Sequence, residues 1–137
     1  MKLLIRLCLV SLFAVITFGF TGSYAAAGAN FAGTWSVSGT LGDPVIGTIS
    51  PVCTLKQEGA EVHGTCKGPN GFGTAQGAVD GAKILLTWKH AATTANGVDG
   101  IATLKGTLGS DGFIRGTWTD SAGPAGAWGK FTAQKVK

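Results

Sequence analysis

The sequence predicts an all-β domain, an antiparallel up-and-down barrel of about eight strands, behind an N-terminal leader. Three observations carry this expectation. No window beyond residue 30 holds a helical period, while glycine and β-branched residues are spread throughout. The pair Gly-Thr occurs seven times, at Gly33, Gly39, Gly47, Gly64, Gly73, Gly106 and Gly116. Its spacing is irregular, which suits a set of similar strands better than a solenoid. Finally, short turns join most of the alternating runs, and an even number of sequential strands can close and lose its edges. A β-sandwich is the alternative, but its crossings need longer connections than most of these turns offer.

The leader reads as a secretory signal over residues 1–29. Met1, Lys2 and Arg6 give a positive start, Leu7 to Phe20 an apolar run, and Ala25, Ala27 and Ala29 small residues for cleavage, expected after Ala27 or Ala29. The run is short for a membrane span of about 20 apolar residues. Residues 30–137 then form one domain. Without Lys2 and Arg6, the 11 basic residues fall to 9 against 7 acidic ones, a net of +2. That balance gives no reason to expect nucleic acid or an acidic surface as partner. Cys53 and Cys66 remain as an even pair in an exported chain, which reads as a disulfide.

The strands are expected at 31–40, 45–57 with a break at Pro51, 61–68, 73–80, 82–90, 98–108, 113–120 and 126–135. In the first, Phe31, Gly33, Trp35 and Val37 face inward and Thr34, Ser36 and Ser38 outward. A two-residue Gly59-Ala60 loop sets Cys53 opposite Cys66 at a close, non-hydrogen-bonded pair. Leu55, Val62 and Gly64 share that inner face with Gln57 near the turn. Lys56, Glu58, Glu61 and His63 take the outer face. A loop at Asp80-Gly81 puts Val79, Ala82, Ile84, Leu86 and Trp88 inside and leaves Leu85 as an apolar misfit outside. For the next hairpin a three-residue loop Ser110-Asp111-Gly112 pairs Leu108 with Ile114, Gly106 with Gly116 and Leu104 with Trp118. The glycines then lie inside, where they make room for tryptophan and permit strong bending, and the threonines lie outside. Trp128 and Phe131 cannot share one face of a straight strand, so Gly129 is expected to mark a bulge.

Gly33-Thr34-Trp35 at the first strand resembles the Gly-x-Trp opening of lipocalin-like (calycin) barrels. The Gly-rich strand pattern resembles small secreted bacterial members of that group across almost all of residues 30–137. The resemblance implies a barrel, an apolar ligand site, and a basic residue late in the last strand, Lys130 or Lys135, packed over Trp35. Ile84 to Trp88, Trp118, Trp128 and Phe131-Thr132 are similar to avidin-type barrels. Ala102 to Gly106 departs from their Thr-x-Trp strand and Ser36-Val37-Ser38 from their ligand-binding stretch. Their late aspartate has no counterpart, so biotin binding does not follow. A leader, an early Trp and one disulfide also resemble periplasmic inhibitors of secreted metalloproteases. Those act through an N-terminal arm, and Trp35 follows the expected cleavage too closely to leave much of one.

Catalysis needs converging groups, and the sequence offers few. His63 reads as a solvated strand residue and His90 as a loop residue at a strand end. Asp43, Asp80, Asp99, Asp111 and Asp120 sit beside Gly, Pro or Ser, as turn residues do. No His/Cys/acid spacing suits a metal. Gly68 to Gly73 is no phosphate cradle, lacking a lysine and a helix. The expectation is a non-enzyme without cofactor or metal. Trp35, Val37, Trp88, Leu104 and Trp118 are the candidate ligand wall, with two readings open: an apolar cavity or a filled core. The expected function is binding of a small, mostly apolar ligand in the barrel or at its mouth. The alternatives are a protein-binding module or protease inhibitor acting through its loops, His90 to Gly100 being the longest, and an exported structural domain with no small ligand.

Overall fold

The computed structural model describes residues 28–42, 48–69, 71–92, 99–122 and 127–137. Residues 1–27 of the expected leader lie outside them. The architecture is a closed, antiparallel, up-and-down β-barrel, as the sequence predicts. Its strands are β1 (Gly33–Leu41), β2 (Thr48–Ile49), β3 (Val52–Glu58), β4 (Glu61–Lys67), β5 (Gly71–Asp80), β6 (Lys83–Ala92), β7 (Gly100–Leu108), β8 (Phe113–Asp120) and β9 (Ala127–Lys135). Each pairs with the next from β3 to β9, and β1 closes the ring by pairing with both β3 and β9. β2 and β3 together make one barrel strand. Both meet β1 in one continuous register, and Val37 N–H donates to the Pro51 carbonyl between them, at 2.9 Å. Proline lacks an amide hydrogen, which explains a break in the ladder there. The count is therefore eight.

Two of the predicted hairpin registers are found. Cys53 faces Cys66 with Cα atoms 4.0 Å apart, and the disulfide is closed. Leu108 faces Ile114, Gly106 faces Gly116 and Leu104 faces Trp118. The third hairpin is corrected. Its loop is Gly81-Ala82, so Val79 faces Ile84, and Ala82 is exposed. Glycine leads this loop and the Gly59-Ala60 loop alike, with φ of 57° and 61°, a conformation that glycine adopts without steric cost. The shift is two residues, so every strand side chain keeps its face. Gly129 is also corrected: β9 runs in unbroken register with both neighbours, and Trp128 faces outward.

The inner glycines have a sharper purpose than making room. A Cβ at Gly64, Gly73, Gly77, Gly116 or Gly129 would overlap the backbone carbonyl of Thr54, Lys89, Leu85, Lys105 or Thr40 respectively. The backbone of a neighbouring strand lies against each of these positions and leaves no room for a side chain. Gly129 also borders a tryptophan, with Trp118 Nε1 3.0 Å from its would-be Cβ, and the buried Gly39 borders the same indole nitrogen at 3.0 Å. Gly33 serves a different approach. Its φ is 119° and its would-be Cβ lies 2.7 Å from Lys135 Cε. Lys135 crosses it to hold its ammonium 5.4 Å from the Trp35 ring centre. Of Lys130 and Lys135, the two residues at which the resemblance implies a late basic residue over the first tryptophan, it is Lys135 that lies there.

Candidate functional site

The barrel has two unlike ends. At one, the tight turns β3–β4, β5–β6 and β7–β8 meet the segment before β1. That segment is tied down by Ala29 N–H to the Gly81 carbonyl at 3.0 Å, and by Phe31 N–H to Gln57 Oε1 at 2.7 Å. Gln57 was the polar residue on an apolar face; its amide also donates to the Gly59 carbonyl, so the face stays satisfied. Phe31 is fully buried and plugs this end, and its carbonyl accepts the Trp35 indole N–H at 2.8 Å.

The predicted wall residues all point inward. Trp35, Val37, Trp88, Leu104 and Trp118 are each buried. Yet the space between Trp35, Val37, Leu104 and their neighbours amounts to about 20 Å³. That is room for roughly one water, and its lining is apolar. Of the two readings, the body of the barrel is a filled core. Phe31, Phe131 and Ile114 complete the packing that the tryptophans begin. Eight strands give an interior that side chains can fill.

The other end carries the remaining connections, whose residues 43–47, 70, 93–98 and 123–126 lie outside the described ones. Most of the expected partner loop, His90 to Gly100, is among them. His90 itself is corrected. It is not a loop residue but an inward, buried residue of β6. Its Nε2 lies 2.8 Å from Asp120 Oδ2. A carboxylate only accepts, so Nε2 carries the hydrogen of this bond. Asp120 also keeps the turn duty expected of it, accepting the Ala122 N–H through Oδ1 at 2.9 Å. The pair reaches from β6 to β8 over Gly100 of β7. A Cβ there would fall 3.0 Å from His90 Nε2 and 2.7 Å from Asp120 Oδ1. Sequence reasoning missed this pair because the residues are 30 apart and only the barrel brings them together.

Trp88 packs against His90 with the rings tilted by 46° and their centres 4.8 Å apart. Its indole N–H is buried and has no hydrogen-bond partner among the described residues. Trp118, also towards this end, donates to the Thr40 carbonyl at 3.2 Å. The loop end thus combines an aromatic wall with a polar pair and one unpartnered donor. His63 is exposed on the outer face, as expected. Among the described residues no cluster of three His, Cys, Asp or Glu could hold a metal, and no helix is long and apolar enough to cross a membrane. The depressions on the outer face are open saddles above Gly64, Gly77, Gly106 and Gly116.

No family model matches the chain, and no curated protein matches it. The closed eight-stranded barrel is consistent with a calycin-like fold.

Proposed function

We propose that this is an exported, non-catalytic, lipocalin-like binding protein that holds a small, mostly apolar ligand at the mouth of its loop end. One observation carries the reading: the two ends of the barrel differ in kind. Among the described residues, the filled body and the Phe31 plug leave the loop end as the place where a ligand can approach the interior. At that place Trp88 supplies an aromatic surface, and its unpartnered N–H and the His90–Asp120 pair supply polar contacts. Small-molecule sites combine these elements, mostly apolar walls with a few fixed polar groups. The closed disulfide suits an oxidising compartment and so suits export.

Native mass spectrometry of the protein purified from an exporting host, without lipid stripping, tests the reading. The expected result is a reproducible small adduct that leaves on unfolding and is weakened by His90→Ala. A clean chain free of adduct would reject it and favour a partner protein at the loops.

A further inference from the structure

Three of the large apolar side chains left exposed, Phe72, Ile101 and Trp128, lie on the outer face at the loop end, and a fourth, Val52, lies nearer the middle of the barrel. Val52, Phe72, Ile101 and Trp128 are 42%, 48%, 47% and 55% exposed. The placement of the first three is regular. β5, β7 and β9 start at this end, and each puts one large apolar residue outward at its second position, while Val52 is the fifth residue of the barrel strand that begins at Thr48. The strands between them contribute cations. Lys67, the last residue of β4, stands directly between Val52 and Phe72. Lys89 of β6 stands directly beside Ile101. Of the seven barrel strands from β3 to β9 all but β8 contribute, in the order apolar, cation, apolar, cation, apolar, apolar.

The rest of the described outer face lacks this pattern. The other exposed large apolar residues are Leu85, mid-barrel, and Val136, after the last strand. Lys130 adds a third exposed cation two residues from Trp128. The described acids at this end are engaged: Asp120 with His90, and Asp99 with the Ala92 N–H at 2.7 Å. The net charge of the whole chain is mild, but the local arrangement is not.

We propose that this collar seats the barrel end-on against an anionic lipid surface. The shape of the patch selects the occupant. A protein docked on one side of a barrel would meet one or two of these positions. A flat surface at the loop end reaches Phe72, Ile101 and Trp128 on three alternate strands together. The residue types agree, since tryptophan and phenylalanine favour the interface between headgroups and hydrocarbon. Lysines between apolar neighbours can lay their stems along them and reach anionic headgroups. This inference does not depend on a ligand at the mouth.

Vesicle flotation tests it, using the protein from an exporting host at low salt. The protein is expected to float with vesicles containing phosphatidylglycerol, to stay behind with phosphatidylcholine alone, and to be released by about 0.5 M salt, where screening is strong. Emission from the exposed Trp128 should shift to the blue on binding, a change absent in Trp128→Phe. The variant Lys67→Gln/Lys89→Gln should lower partitioning roughly tenfold to thirtyfold. Phe72→Ser/Trp128→Ser should abolish it, and Leu85→Ser should leave it unchanged. All these side chains are exposed, and intact disulfide and circular dichroism confirm folding of each variant. Three results would overturn the proposal: no flotation with anionic vesicles, which would leave the collar to a protein partner; equal flotation with neutral vesicles; or flotation that Phe72→Ser/Trp128→Ser does not alter.

Discussion

The plugged end and the loop end of this barrel use opposite means to finish the same sheet. The plugged end is apolar and covalently short: two-residue and three-residue turns, with Phe31 folded under them. The loop end is held by a polar bond between strands that are not neighbours, His90 to Asp120 across Gly100. The difference teaches where stability and where contact with other molecules can reside. An apolar plug gains by excluding water from everything near it. A buried polar pair gains little net free energy but costs much when half of it is removed. The first arrangement suits a permanent seal, the second a place that must also meet solutes.

Substitutions can break or sharpen this contrast. The largest effect is expected at the plug: Phe31→Ala removes a fully buried ring and should cost about 4 kcal/mol, lowering Tm by about 15 °C. A loss under 1 kcal/mol would show that the end is sealed by other residues. Next come the glycines between the ends. Gly116→Ala sets a methyl against the Lys105 carbonyl and should cost about 3 kcal/mol. Gly81→Ala meets open space and strains only its φ of 57°, so about 1 kcal/mol is expected. Denaturant unfolding of both variants checks the ordering, and equal losses would reject close strand approach as the reason for the inner glycines.

At the loop end, His90→Ala leaves Asp120 without its partner and should cost about 2 kcal/mol. Hydrogen exchange should quicken in the loop-end halves of β6 and β8 and stay slow around Phe31. Uniform quickening would mean that the two ends are not separable. The smallest effect lies at the surface turn of β7–β8. The Asp111 carboxyl is held below the usual aspartate range, first by the Arg115 guanidinium, at 2.8 and 3.1 Å, and then by the Phe113 N–H. Its folded value is depressed, so its contribution is present above the unfolded value and lost as pH falls through the folded one. NMR titration should find Asp111 protonating below the usual aspartate range, and Arg115→Gln should bring it back towards that range.

The inside and outside of each strand were legible before the structure, because alternation has a period of two and each hairpin is short. The pairing of Cys53 with Cys66 and of Leu104 with Trp118 follows from turn length and alternation alone. At Gly81 the same reasoning slipped by two residues. Alternation is blind to an even shift, and Asp-Gly and Gly-Ala can both make a two-residue loop, so only the pairing of Asp80 with Lys83 separates the two. Trp128 faces outward for a reason no local rule states: Gly129 must lie inside, where the Thr40 carbonyl and Trp118 crowd it.

The sequence by itself thus determined the class of fold, the face of nearly every strand residue and the disulfide, since these depend on neighbours within a hairpin. Only the tertiary structure decided the closure of β1 on β9, the Phe31 plug, the His90–Asp120 pair and the filled interior. Each of these depends on how far apart the strands of a closed ring stand. That spacing is set by the bending of the whole sheet, which no single hairpin contains.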